Sequence, residues 1–380
     1  MRETGYINGL RALAAFCVLT CHCMIWSRWP GTALPLLPRP GLAAKLAVDL
    51  FMIISGFLMV LNAQERERKE PLSCLQSWYK FYLRRFFRIA PAYYLSLFVA
   101  VLLQHQFLAG YVELAARIPG MEDSVYGGAN IQYSAPNILI HVSFLFGFLP
   151  NWAYSTQLPD WSLALEMQFY AIFPLLFVSL TRYGAVVVAG VAATLSAIVT
   201  EIMAGSFPEP SFILFKLPIF VSGMLLCLAA RDASLRRRGP CIALALTLAL
   251  TQFQNYGYQT IWVFLLTALV ALSSVQLVQH SWLSVTQSLL RKILDNRPMA
   301  VAAELSYSVY LFHGFFIAFF GAALFRYPAF VELNPHFATA IFFAAVAAGT
   351  VTVAVVVHRV VERPGIVLAR RIIDGPLFAG

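Results

Sequence analysis

Charge is scarce in this sequence of 380 residues. Asp, Glu, Lys and Arg together make up 12% of it, and only 18 residues are acidic, against roughly 25% charged residues in a soluble domain. With 60% hydrophobic residues and a mean hydropathy of +0.72, this scarcity excludes a soluble globular protein. Cysteine is also sparse. Cys17, Cys21, Cys23, Cys74, Cys227 and Cys241 fall in apolar runs or on segments assigned to one membrane face, so no disulfide framework is expected and the thiols read as small hydrophobes. No small-x-small cleavage site follows the first apolar run, where Trp26, Arg28 and Trp29 stand instead, and Arg11 interrupts the run. The segment therefore reads as a retained first helix and not a signal peptide. Internal repeats, low-complexity tracts and an appended soluble domain are absent. No second spaced Cys/His cluster accompanies Cys21-His22-Cys23, whose thiols point about 100° to either side of the imidazole on a helix, so no metal is expected.

What is present is a series of long apolar segments, over about 5–25, 46–63, 87–108, 161–180, 184–204, 211–229, 240–254, 259–279, 303–325 and 336–358. Crossing a roughly 30 Å hydrocarbon core takes about 20 such residues. The expected fold class is an all-α integral membrane protein, a bundle of about ten transmembrane helices forming a single domain over 1–380. The stretch 137–149 is apolar but too short to span upright, and reads as a re-entrant or interfacial element. Lys and Arg exceed Asp and Glu by nine, an excess that topology explains better than nucleic acid does. The basic residues collect at 64–88, 230–239, 280–302 and 359–380, so the positive-inside rule places both termini in the cytoplasm. The outer loop over about 109–160, poor in basic residues, then faces outward, and a cytoplasmic tail covers about 359–380.

Ionisable residues inside spans are costly and mark functional sites by default. Arg11 and His22, eleven residues apart, fall within about 20° of one another around a helix and about 16 Å apart along it. They form one polar stripe with the arginine inward. A structural pairing of each would explain them as well as chemistry does. In "YLRRFFRIAPAYY" (82–94), Arg84, Arg85 and Arg88 stand at the cytoplasmic mouth of the third helix, which Pro91 closes, and Arg85 and Arg88 share a face at i,i+3. Two guanidiniums there suit a phosphate or pyrophosphate, or simply anchor the helix. In "LPDWSLALEMQFYAIFPLL" (158–176), Asp160 or Ser162 can cap the helix that follows. Glu166 and Tyr170 project together, and the carboxylate can orient His22 or a substrate hydroxyl. Ser55-Gly56 in "VDLFMIISGFLMV" predicts close helix approach. His313 in "ELSYSVYLFHGFF" reads first as packing.

In their order, Arg11-x10-His22, "VDLFMIISGFL", "RRFFRIAP", "WSLALEMQFY", "SYSVYLFH" and "VERP" (361–364) resemble the acyltransferase-3 family of membrane O-acyltransferases. The resemblance implies transfer of an acyl group, acetyl above all, from acetyl-CoA or another acyl-CoA to a hydroxyl of a cell-surface or exported glycan or glycolipid. It implies His22 as the catalytic residue with Arg11 as its partner and Glu166 in a catalytic motif. Arg85 and Arg88 are implied on the donor side, with Ser55 in the motif beside them. His22 would act as general base or as transient acyl carrier. The acyl-CoA is a substrate, so no resident cofactor is expected. A bacterial cytoplasmic (inner) membrane is implied, in a stand-alone form expected to be without the hydrolase-like domain of many relatives, so that any periplasmic partner protein needed to finish the transfer would be separate. The alternatives are acylation of a lipid or small hydrophobic acceptor, and a secondary transporter or flippase.

Overall fold

A computed structural model describes residues 5–27, 29, 38–117, 131, 133–203, 205–232, 234–275 and 282–375, with backbone only at 235, 253 and 254. Every regular element among them is helical. This is the solution that hydrocarbon imposes, because a helix satisfies its own backbone donors and acceptors. In chain order the helices are α1 (Gly5–Trp26), α2 (Pro40–Arg66), α3 (Leu75–Leu102), α4 (Gln104–Ala115), α5 (Ala135–Val142), α6 (Trp161–Tyr183), α7 (Ala185–Met203), α8 (Ile213–Arg231) and α9 (Leu235–Leu250). They continue as α10 (Phe253–Tyr256), α11 (Thr260–Ser274), α12 (Trp282–Leu294), α13 (Arg297–Leu324), α14 (Pro328–Val331), α15 (Pro335–Val357) and α16 (Arg363–Ile373). A π turn over His358–Glu362 joins the last pair.

Among the described residues, nine helical segments are long and apolar enough to cross a membrane. The seventh apolar run of the sequence became α9, whose 16 residues rise about 24 Å, short of the hydrocarbon thickness. The third span differs from expectation. It was placed at 87–108, but α3 starts at Leu75 and ends at Leu102, so Arg84, Arg85 and Arg88 lie in mid-helix and not at its mouth. Pro91 does not close the helix; it sits inside it. Proline cannot donate to the Phe87 carbonyl one turn back, and Gly365 of α16 packs there, where a methyl would come within 2.8 Å of that oxygen. The expected tail is also helical as far as Ile373, because Gly365, Ala369 and Ile373 bury one face at i,i+4 spacing. Residues 376–380, and residues 118–130 and 132 of the outer stretch, lie outside the described residues. The stretch 137–149 holds α5 and a short turn at Leu145–Phe148, too short to span, as expected.

The chain divides into two compact units, and α1, α2, α3, α6 and α13 contribute residues to both. The first unit is Met1–Ala14, Val48–Leu83 and Ser162–Ala303. In it α2 meets α8 at backbone contact: a methyl on Gly56 would strike the Phe220 carbonyl, and one on Gly223 would strike the Ile53 carbonyl. Small residues are what allow such approach. Phe169 stacks on Phe220 beside this crossing, centroids 4.2 Å apart. At the end of α11, Arg291 donates to the carbonyls of Ser273 at 2.8 Å and Ser274 at 3.2 Å, a cation completing a helix C-terminus.

Inside the same unit, the Lys216 ammonium lies 2.9 Å from Oδ1 of Asp49, and both side chains are essentially inaccessible to solvent. The Tyr256 hydroxyl donates to Oδ2 of Asp49 at 2.6 Å and accepts from Lys216 at 2.8 Å. The ammonium, carboxylate and phenol thus form one ion-paired and hydrogen-bonded cluster.

The second unit is Ala15–Ala47, Arg84–Trp161 and Glu304–Gly380. Here α4 packs on α13 through Phe107 against Phe315, at 4.3 Å, with Gly110 against the Ala318 backbone and Gly321 against Leu114. The six cysteines are free thiols; Cys21, Cys23 and Cys227 are buried as small hydrophobes, whereas Cys74 is exposed.

Candidate active site

In the second unit, α1 delivers His22 and α13 delivers His313. Nδ1 of His22 lies 2.7 Å from Nε2 of His313. The ring planes are only 22° apart and the centroids 5.0 Å apart. That separation exceeds the N···N distance by about two ring radii, so the imidazoles meet edge to edge along the lone-pair direction. His313 is 1% exposed, whereas His22 is half-buried. On its other side, Nδ1 of His313 lies 2.7 Å from the Tyr310 carbonyl of its own helix. The α13 backbone next to it is held by Tyr111, whose hydroxyl donates to the Gly314 carbonyl at 3.1 Å.

In the first unit, Ser55 of α2 donates to Oε1 of Glu166 at 3.3 Å, and the Tyr170 hydroxyl donates to the same oxygen. The i,i+4 projection of Glu166 and Tyr170 read from the sequence is therefore present, and Ser55 joins it from 111 residues away. A half-buried carboxylate with one oxygen doubly bonded keeps acceptor capacity on the other. Arg11 stands on α1 within the first unit, and Arg85 and Arg88 stand one turn apart on α3 within the second; all three side chains are half-buried. No group of three or more potential metal ligands occurs among the described residues.

Asp160 closes a further cluster in the second unit, just before α6. Its Oδ2 accepts from the Tyr93 hydroxyl at 3.0 Å and from Thr156 at 3.3 Å, and lies 3.7 Å from Nε2 of His141. Nδ1 of His141 meets the Asn137 carbonyl at 3.0 Å, which fixes the proton there and turns the lone pair of Nε2 toward Asp160. Burial pushes the Asp160 carboxyl up to about 7, against the pull of the Tyr93 and Thr156 hydroxyls. Burial pulls the His141 imidazole down to about 4, with the Asn137 carbonyl opposing. A protonated carboxyl facing a neutral imidazole is consistent with both. The folded chain then keeps a proton that the unfolded chain releases near 3.8, so this group's stabilisation is complete below that pH and is lost as pH rises to about 7. Against Asp160→Asn, which keeps an oxygen for Tyr93, the wild-type advantage should fall between about pH 4 and 7 by an amount on the order of a few kcal/mol. Melting temperatures of both purified proteins across that range check this; parallel curves would contradict it.

Sequence reading missed three partnerships: His22 with His313, Asp49 with Lys216, and Asp160 with His141. For Lys216 a signal existed, since a lysine within a span requires a carboxylate within a span. The other two pairs carry no local pattern.

Helices of membrane length, with charged groups paired within them, define a multi-pass, all-α integral membrane protein. The chain belongs to the acyltransferase-3 family, whose acyltransferase domain matches residues 4–359. It is 27% identical over 173 residues to the acyltransferase MdmB of Streptomyces mycarofaciens, a match covering 44% of this chain and 38% of that protein. It is 28% identical over 177 residues to the peptidoglycan O-acetyltransferase OatA of Listeria monocytogenes serovar 1/2a, covering 44% of this chain and 23% of that protein. The chain thus aligns with well under half the length of either relative. No solved structure matches it.

Proposed function

We propose that the protein is a membrane O-acyltransferase that moves an acyl group, acetyl in the first instance, from cytoplasmic acyl-CoA to a hydroxyl of an exported or cell-surface glycan. The observation that carries this reading is the His22–His313 hydrogen bond of 2.7 Å within a chain of the acyltransferase-3 family. Support for a glycan acceptor comes from the peptidoglycan O-acetyltransferase among its relatives. With one nitrogen of His22 engaged, the other is left for the reaction. It takes the proton of the acceptor hydroxyl, whose oxygen attacks the thioester carbonyl; the tetrahedral intermediate then expels the CoA thiolate, which leaves with that proton. The C–S bond breaks as the C–O bond forms, and no further reactant is needed. Arg85 and Arg88, basic on one face of α3, are the proposed grip on the phosphates of CoA, and a bacterial cytoplasmic membrane is the proposed location.

The test is reconstitution into liposomes with acetyl-CoA and cell-wall oligosaccharides. Acceptor-dependent release of free CoA thiol and an acetyl ester on the sugar are expected. Passage of unmodified solute without thiol release would replace this reading with transport, and esterification of an added lipid alone would move the acceptor to a hydrophobic class. Replacing Arg85 and Arg88 together by alanine should raise the KM for acetyl-CoA by about 10-fold or more, the worth of one charge-assisted phosphate contact, with kcat little changed. An unchanged KM with lowered abundance would make them membrane anchors.

A further inference from the structure

We infer that His313 is a positioning residue that holds His22 in the Nδ1–H tautomer, so that Nε2 of His22 is the reacting nitrogen. This rests on His22 being the base. The Tyr310 carbonyl can only accept, so the Nδ1 atom of His313 that meets it at 2.7 Å carries a hydrogen. A neutral imidazole has one N–H, which leaves a lone pair on Nε2 of His313. A second proton on that ring would place a cation at a site 1% exposed, where burial opposes charge. Nδ1 of His22, 2.7 Å from that lone pair, must therefore donate, and the single N–H of a neutral His22 is spent on it. The lone pair of His22 falls on Nε2.

The same contact serves the reaction. As Nε2 of His22 takes the acceptor's proton, the ring becomes an imidazolium and its bond to His313 becomes charge-assisted, which strengthens it as charge develops. No second proton moves, because His313 already bears its hydrogen on the side of Tyr310. His313 is buried one bond behind the reacting ring and orients it from an α13 backbone that is itself pinned at Gly314.

The full chain in nanodiscs, with acetyl-CoA and cell-wall oligosaccharides as probes, tests this through His22→Gln, His313→Leu and His313→Gln. His313→Leu should lower kcat by about 10²-fold or more, as expected when a base is released into the wrong tautomer, and leave the KM for acetyl-CoA within about 3-fold. His313→Gln offers an amide oxygen to the same N–H and should recover at least about 10-fold of that loss. In ¹⁵N-histidine spectra, the signals that vanish in His22→Gln should be those of an Nδ1–H tautomer in wild type and in His313→Gln, and of an Nε2–H form or a mixture in His313→Leu. Unchanged kcat and an unchanged His22 tautomer in folded His313→Leu would overturn the inference while leaving His22 as base. Full activity of His22→Gln would instead remove the reading beneath it. Should His313→Leu fail to fold, the inference falls if His313→Gln shows His22 in the Nε2–H form at undiminished kcat.

Discussion

Alanine at position 22 is expected to lower acyl transfer by about 10²–10⁴-fold, the usual contribution of a positioned general base. The imidazole is half-buried and supplied by α1, while its partner His313 is buried on α13. Some stability will go with it. Truncation leaves Nε2 of His313 without its hydrogen bond, at a cost of about 1–3 kcal/mol, so rates should be normalised to folded protein. His22→Gln is the sharper variant, because its amide can still meet His313 but cannot take up a proton at neutral pH. Thiol release from acetyl-CoA in the presence of acceptor measures both. Retention of more than a tenth of the wild-type rate by either variant would sink the assignment of His22 as the base.

Lys216→Met is expected to cost about 3–5 kcal/mol of stability, because removing one partner of a buried ion pair strands the other charge. Asp49 would keep Tyr256 at 2.6 Å and lose the ammonium 2.9 Å away. A single hydroxyl does not replace a countercharge in so dry a place. Asp49→Asn combined with Lys216→Met removes both charges and leaves Tyr256 an amide oxygen to donate to, so most of the loss should be recovered. The three variants and wild type form a double-mutant cycle read by thermal unfolding in detergent. If the double variant is as unstable as the sum of the singles, the two residues are not coupled and the ion pair has no part in holding α2 to α8.

Features repeated along one segment were legible in the sequence. Membrane helices declare themselves by the length of an apolar run, and the 100° step of a helix places Arg11 with His22 and Glu166 with Tyr170 on common faces before any packing is known. Ser55-Gly56 likewise announced a close crossing, since small side chains let two backbones approach. The boundaries of α3 were harder: its N-terminal half carries Gln76, Ser77, Lys80, Arg84 and Arg85 and is too polar to read as a span, yet a helix costs little to extend once nucleated. Pro91 looked like a terminus because proline breaks isolated helices, whereas here Gly365 packs against the carbonyl it frees.

The sequence by itself determined an all-helical membrane chain of the acyltransferase-3 pattern, with an arginine and a histidine on one stripe of the first span. Only the tertiary structure decided which group meets Nδ1 of that histidine. His313 lies 291 residues away and Lys216 lies 167 residues from Asp49, separations over which no periodicity links one residue to the other. Backbone geometry repeats locally and can be counted from the chain; which imidazole, carboxylate or ammonium meets which depends on how distant helices pack.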